Sequence, residues 1–181
     1  MNVLRTDLPD VLILEPKVVD DARGFLFESY NREILRERAG IEETFVQDNH
    51  SRSEKSVLRG LHYQIMQPQG KLVRAISGRI LDIAVDIRKS SPHFGRWIRI
   101  ELSGENRRIA WVPKGFAHGF LVLSEHAEVV YKTTDYWMPE FERTIAWNDS
   151  ELAIDWGIDV RPVLSAKDSV AARLRDAEVF D

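Results

Sequence analysis

Val112-Pro113-Lys114-Gly115-Phe116-Ala117-His118-Gly119-Phe120 decides the fold of this chain, together with its counterpart Arg59-Gly60-Leu61-His62-Tyr63-Gln64. Each stretch sets a histidine beside glycine in a strand-rich region, with a basic residue close by. Proline followed by two glycines is punctuation that tight turns demand, because glycine reaches backbone conformations closed to other residues. A histidine held between such turns is suited to proton chemistry, since its ordinary pKa lies near neutrality. Two such histidines, with Lys71, Tyr131 and the C-terminal pair Lys167-Asp168, sketch a site.

Outward from these segments the pattern is almost entirely of strands. Residues 72–77 and 80–87 flank Gly78-Arg79, which predicts a two-residue type II′ hairpin with glycine first. Within 80–87, Asp82 and Asp86 alternate with Leu81, Ile83, Val85 and Ile87, and that period of two predicts one buried face. Residues 96–102, 107–112, 118–123 and 127–134 continue the series, with turn residues between them. Earlier, 11–30 has strand character broken by the turn-like cluster Asp20-Asp21-Ala22-Arg23-Gly24. A short helix is predicted over 31–39, capped by Asn31 and ended by Gly40. A second is predicted from about 166 to 177, where Ser165 and Asp168 fit a capping box. Strands at this spacing predict one all-β domain over 1–181, an antiparallel jelly-roll β-barrel with short peripheral helices.

The 181 residues can bury a real core without disulfides or metal. No cysteine is present, which excludes disulfides and thiolate metal sites and is compatible with a reducing compartment. Pro9 and Asp10 cut the apolar N-terminus, which lacks a basic leader, so no signal peptide is read. No apolar run reaches bilayer-spanning length, and the expected location is the cytoplasm. A net charge of -4 argues against broad nucleic-acid binding and leaves room for a small anion in a basic cleft.

Strict alternation from Val57 would put Arg59 and His62 on opposite faces of a strand. Gly60 between them is a natural bulge position, and a bulge would aim both into one barrel cavity. His62 is then either a general base or a buried histidine satisfied by a hydrogen bond. His118 sits in Pro-x-Gly-x-x-His, a spacing found in cupin barrels, whose metal sites also need a His-x-His pair and a carboxylate. Here Gln64 stands for the second imidazole and Lys71 places a cation where a metal wants an anion, so no metal centre is expected. Lys71 is either a solvated strand-end lysine or an ammonium aimed at a developing negative oxygen. Tyr131 is either core or a proton donor facing the cavity. Asp168 caps a helix and could equally orient His62. Arg23, Arg59 and Lys167 are phosphate candidates. Gln47 and Asn49, two apart on one strand face, could read a polar ligand edge, and Glu28 could accept from an imide or hydroxyl.

The chain resembles the dTDP-4-dehydrorhamnose 3,5-epimerase family. The resemblance rests on Asp21-Ala22-Arg23-Gly24-Phe25, Phe27-Glu28-Ser29-Tyr30, Gln47-Asp48-Asn49-His50-Ser51, Leu58-Arg59-Gly60-Leu61-His62, Gln69-Gly70-Lys71-Leu72-Val73, the 113–120 segment and Leu164-Ser165-Ala166-Lys167-Asp168. These lie in family order along nearly the whole chain. The resemblance implies a cupin jelly-roll homodimer that needs neither metal nor organic cofactor. It implies inversion of dTDP-4-dehydro-6-deoxy-D-glucose at C3 and C5. It assigns His62 as general base, Tyr131 as proton donor, Asp168 as partner of the base and Lys71 as the cation near the sugar keto oxygen. By the same resemblance Arg23, Glu28, Gln47, Asn49, Arg59, His118, Glu142 and Lys167 contact the nucleotide sugar, with Arg23 and Glu28 supplied by the neighbouring subunit. Two departures stand out: the short apolar loop Ile65-Met66-Gln67-Pro68, and Trp137-Met138 where tyrosine and serine are common. The rival readings are an epimerase of C3 or C5 alone, a non-catalytic nucleotide-sugar-binding cupin and a metal-dependent oxygenase.

Overall fold

In the computed structural model, which describes residues 1–181, the chain opens with β1 (Asn2–Arg5) and β2 (Leu12–Glu15). A small exposed hairpin of β3 (Val19–Asp21) and β4 (Gly24–Leu26) follows. The predicted first helix forms as α1 (Arg32–Ile34), running on into one wider π-helical turn, Leu35–Ala39. Asn31 caps it, its Oδ1 accepting from the Ile34 N–H at 3.2 Å, and Gly40 ends it at φ 69°. Eight strands come next: β5 (Gln47–Glu54), β6 (Leu58–Gln64), β7 (Lys71–Ser77), β8 (Arg79–Asp86), β9 (Trp97–Ser103), β10 (Ile109–Val112), β11 (Phe116–Val122) and β12 (His126–Thr133). The chain closes with β13 (Glu142–Thr144) and α2 (Ala166–Ser169).

The strands form two antiparallel sheets, a six-stranded one in the order β1-β2-β10-β7-β12-β5 and a five-stranded one in the order β13-β6-β11-β8-β9. Sheets packed face to face with strands that switch between them are a jelly roll. Between the sheets lies the largest apolar cluster, which includes Val73, Ile80, Ile100, Val112, Phe120 and Val129. Each large aliphatic side chain buried there contributes about 1.5–3 kcal/mol.

Three sequence expectations change. Gly78 does not close a hairpin: β7 pairs with β10 and β12, while β8 pairs with β9 and β11. Gly78, at φ 71°, instead turns the chain from one sheet to the other, and a Cβ there would lie 2.1 Å from the His126 carbonyl oxygen. The alternation in 80–87 separates two cores. Ile80 and Ala84 join the inter-sheet cluster, whereas Ile83, Val85 and Ile87 pack outward under Ile145, Leu152, Trp156 and Leu174 of the C-terminal tail. Asp82 and Asp86 are therefore fully buried. Finally, the second helix stops after Ser169, because the chain beyond it bonds back to the segment that follows β13: Ala146 N–H donates to Ala172 O at 2.8 Å, and Leu174 N–H to Asp149 Oδ2 at 2.8 Å.

Gly78→Ala should therefore destabilise the fold by at least ~2 kcal/mol, because it combines a strained left-handed conformation with a backbone clash. Urea unfolding monitored by tryptophan fluorescence reads this directly, and an unchanged midpoint would contradict the corner geometry.

Candidate active site

The site begins with a bulge. His118 on β11 faces His62 on β6, but Phe120 faces Arg59, so three steps of β6 match two of β11. The extra residue falls at Gly60-Leu61. Gly60 has φ 133°, and a Cβ on it would lie 2.5 Å from the Gly119 Cα, so the two backbones touch where only glycine fits. The slip keeps Leu58, Leu61 and Tyr63 in the outer core while turning Arg59 and His62 to the other side. Arg59 stays exposed and reaches β5, where its Nε donates to Ser53 Oγ at 2.9 Å.

His62 and Tyr131 line one cavity of about 320 Å³, with Lys71, Glu142, Gln47 and Asn49. This volume lies at the low end for small-molecule sites. His62 Nε2 lies 2.6 Å from Asp168 Oδ1, and the carboxylate is almost wholly shielded. The tail supplies this contact across 106 residues of sequence. Ser165 caps α2 by accepting from the Asp168 N–H at 3.1 Å, which leaves the Asp168 side chain free for the imidazole. With the Nε2 proton donated to Asp168, the lone pair of His62 sits on Nδ1. Lys71 is buried, and its Nζ donates to the His62 carbonyl at 3.2 Å. A second hollow of about 300 Å³ on the outer face of the six-stranded sheet is edged by the surface pair Lys132–Asp48, of a kind that contributes at most ~1 kcal/mol.

Burial and charge set the protonation of the group. Burial pulls the His62 pKa below its ordinary value, and the hydrogen bond and charge of Asp168 offset only part of this. Burial opposes ionisation of Asp168, but the His62 hydrogen bond and charge, with the Lys167 charge, outweigh it and leave its pKa lowered. Lys71 is pulled down to about 8 by burial, against the opposing charges of Asp82 and Glu142. Burial pushes Tyr131 up, although the Arg59 charge opposes the rise. Near neutral pH the cavity thus offers a neutral imidazole able to accept a proton, a phenol that still holds one and an ammonium within easy reach of losing its own.

The remaining sequence candidates divide. Glu142 and Lys167 pair at 2.8 Å beside the cavity. Gln47 and Asn49 are linked by a 3.0 Å side-chain bond, and Gln47 Oε1 also accepts from the Trp137 N–H at 3.0 Å. Arg23 and Glu28 are not brought to the cavity of their own chain. Arg23 is 89% exposed and paired with Asp21, and Glu28 accepts from Asn31 Nδ2 at 3.0 Å. His118 sits opposite His62 on β11, buried, with Nε2 2.8 Å from Asp82 Oδ2. Two residues escaped the sequence reading as parts of the site. Gln64 is buried on the cavity wall and holds the loop carrying Trp137, donating to the Tyr136 carbonyl at 3.1 Å and accepting from the Met138 N–H at 2.7 Å. Asp82, taken as one face of an alternating strand, is wholly buried against His118, the residue that pairs with His62 across the strands. The signal for Gln64 was its place two residues after His62, on the same strand face.

Two antiparallel sheets closed around a polar cavity with an imidazole–carboxylate pair define a cupin jelly roll fitted for proton transfer. The family model described as dTDP-4-dehydrorhamnose 3,5-epimerase matches residues 5–176. The dTDP-4-dehydrorhamnose 3,5-epimerase of Pseudomonas aeruginosa is 57% identical over 180 residues, covering 99% of each chain. That of Salmonella typhimurium is 56% identical over 178 residues, covering 98% of this chain and 97% of its own. A crystal structure of dTDP-6-deoxy-D-glucose-3,5-epimerase from Legionella pneumophila, in complex with dTDP-4-keto-L-rhamnose, superposes with a TM-score of 0.96 at 51% identity, covering 98% of this chain and 94% of that one. The chain belongs to the dTDP-4-dehydrorhamnose 3,5-epimerase family.

In an NMR titration of the imidazole resonances, His62 should titrate below about 6.5, the unperturbed value. Asp168→Asn should lower it further, since the carboxylate is what raises it. A rise in that variant would show that Asp168 does not hold the ring.

Proposed function

We propose that the cavity binds dTDP-4-dehydro-6-deoxy-α-D-glucose and that the chain inverts C3 and C5 to give dTDP-4-dehydro-β-L-rhamnose, in dTDP-L-rhamnose biosynthesis. The chain is an isomerase, an epimerase of a dTDP-sugar. The observation that carries the mechanism is the convergence of His62, Lys71 and Tyr131 on one cavity.

Both carbons adjoin the C4 ketone, so removal of either proton leaves charge that delocalises onto the C4 oxygen. His62, oriented by Asp168, takes the proton. Lys71 faces the C4 oxygen and stabilises the enolate more than the ketone, which is the differential binding that lowers a barrier. Inversion then needs a proton delivered to the opposite face, and at C5 Tyr131 supplies it. The sequence of steps involves no net redox change. Arg59, Gln47, Asn49, Lys167 and Glu142 hold the nucleotide sugar, arginine matching phosphate oxygens in a bidentate way. His118 supports His62 from the neighbouring strand β11.

The cavity is completed by a second copy of the chain in a homodimer. The β3–β4 hairpin supports this reading, because it carries Arg23 away from the molecule and exposes Phe25 at 56% and Leu26 at 76%. No helix is long and apolar enough to cross a membrane, and a cysteine-free chain suits the reducing cytoplasm, where we place it.

Turnover of dTDP-4-dehydro-6-deoxyglucose in heavy water, followed by mass measurement of the product, should show two carbon-bound deuterons. One would indicate a mono-epimerase, and none would leave only a binder. His62→Ala should lower kcat by about 10²–10⁴-fold while keeping nucleotide affinity, and wild-type-like turnover would remove His62 as the base. Tyr131→Phe should impair reprotonation at C5 more than exchange at C3, and equal loss at both would refute a C5-specific role.

A further inference from the structure

Gln64 follows His62 by two residues on β6, so both side chains leave the same face of the strand. It is 2% exposed. Its Nε2 donates to the Gln67 carbonyl at 2.9 Å and to the Tyr136 carbonyl at 3.1 Å, and its Oε1 accepts from the Met138 N–H at 2.7 Å. A primary amide carries two N–H donors, and both are used within the protein, so none is left for a ligand. The orientation of the amide is fixed as well, because only its oxygen can accept from a backbone N–H.

The segment that Gln64 holds has little else to hold it. Residues 135–137 make no backbone–backbone hydrogen bond. Side-chain amides take the place of a ladder. Gln69 Nε2 donates to the Asp135 carbonyl at 2.9 Å, Gln47 Oε1 accepts from the Trp137 N–H at 3.0 Å, and Gln64 takes the groups on either side of Trp137. Of these three glutamines only Gln64 is buried, and a hydrogen bond that water does not reach is stronger than one for which it competes. Trp137 itself is half-exposed and lines the cavity that His62 and Tyr131 share. The Gln67 carbonyl belongs to the loop before Gly70. The two stretches that depart from the family pattern, Ile65-Met66-Gln67-Pro68 and Trp137-Met138, thus hang from one side chain.

We propose that Gln64 is a positioning residue: it makes Trp137 a fixed wall of the cavity, so that the strand carrying the base also sets the surface against which the nucleotide sugar binds. This deepens the reading of the cavity as the dTDP-sugar site and rests on it. A wall in place before the ligand arrives spares the ordering of a loop on binding, which raises affinity without touching the chemical step. A lid would need contacts that break readily, whereas releasing this segment strands two carbonyls and an N–H in a buried place.

The test uses the full chain, dTDP-4-dehydro-6-deoxyglucose and amide hydrogen exchange. Gln64→Met keeps the length of the side chain and removes all three bonds. It should raise KM about tenfold and change kcat less than about threefold, the signature of lost binding rather than lost chemistry. In the same variant the Met138 amide should exchange about tenfold faster relative to those of Ile83 and Leu121 in the barrel core. A folded Gln64→Met protein with wild-type KM, or with all three amides accelerated equally, overturns the proposal. Gln64→Glu supplies the rescue. Its neutral carboxyl can still donate to the Tyr136 carbonyl and accept from the Met138 N–H, whereas its ionised form faces two carbonyl oxygens with no donor. Burial favours the neutral form, so KM relative to wild type should be within about threefold at about pH 5.5 and about tenfold higher by about pH 8.5. Should Gln64→Met not fold, Gln64→Glu decides alone, and a KM ratio that does not rise with pH refutes the proposal. Failure of the proposed function would look different: the wild-type chain would turn over no substrate, while the exchange difference at Met138 would persist.

Discussion

One hydrogen bond, between His62 Nε2 and Asp168 Oδ1 at 2.6 Å, joins the barrel to its tail and gives the site its base. Everything that the tail does leads to it. The tail covers the outer face of the five-stranded sheet with Ile145, Leu152, Trp156 and Leu174, and adds Tyr63 Oη donating to the Glu178 carbonyl at 2.6 Å. This packing sets Asp168 behind the imidazole as a shielded carboxylate. A shielded carboxylate holds a ring in one tautomer far more firmly than an exposed one, because water does not compete for its lone pairs.

The other constraint is the contact of Gly60 with Gly119. Without it, β6 would continue its alternation and put Arg59 and His62 on opposite faces. The bulge places both beside the cavity at the cost of two glycines in strands, residues that weaken a strand elsewhere. Fold and chemistry are coupled here: the same local slip that interrupts the ladder aims the base.

Much of this was legible in the residues. Strand spacing gave the barrel, Gly60 gave the bulge, and the cap-plus-three spacing of Ser165 and Asp168 located the short helix that carries the acid. What stayed hidden has a common cause, which is that local pattern does not report what covers a surface. Gly78 reads equally well as a hairpin or as a corner, since both need a positive φ, and only the pairing of β7 and β8 with different partners separates them. Asp82 looked like the polar side of a half-buried strand until the tail was seen to bury the apolar side as a second core. The predicted helix beyond Ser169 yielded to hydrogen bonds that tie Ala172 and Leu174 to Ala146 and Asp149, in the segment after β13. The motif that carries His118 gave no sign of its partner, Asp82, which lies 36 residues earlier in sequence and meets it only across the pairing of β8 with β11.

The central claim is that an imidazole and a phenol act on one hexose from opposite faces. A crystal structure of this chain with dTDP-4-dehydro-L-rhamnose bound measures it most directly. The account predicts the sugar ring between His62 and Tyr131, with the C4 oxygen within hydrogen-bond reach of Lys71 Nζ. A ring seated away from both side chains, or with both on the same face, would contradict it.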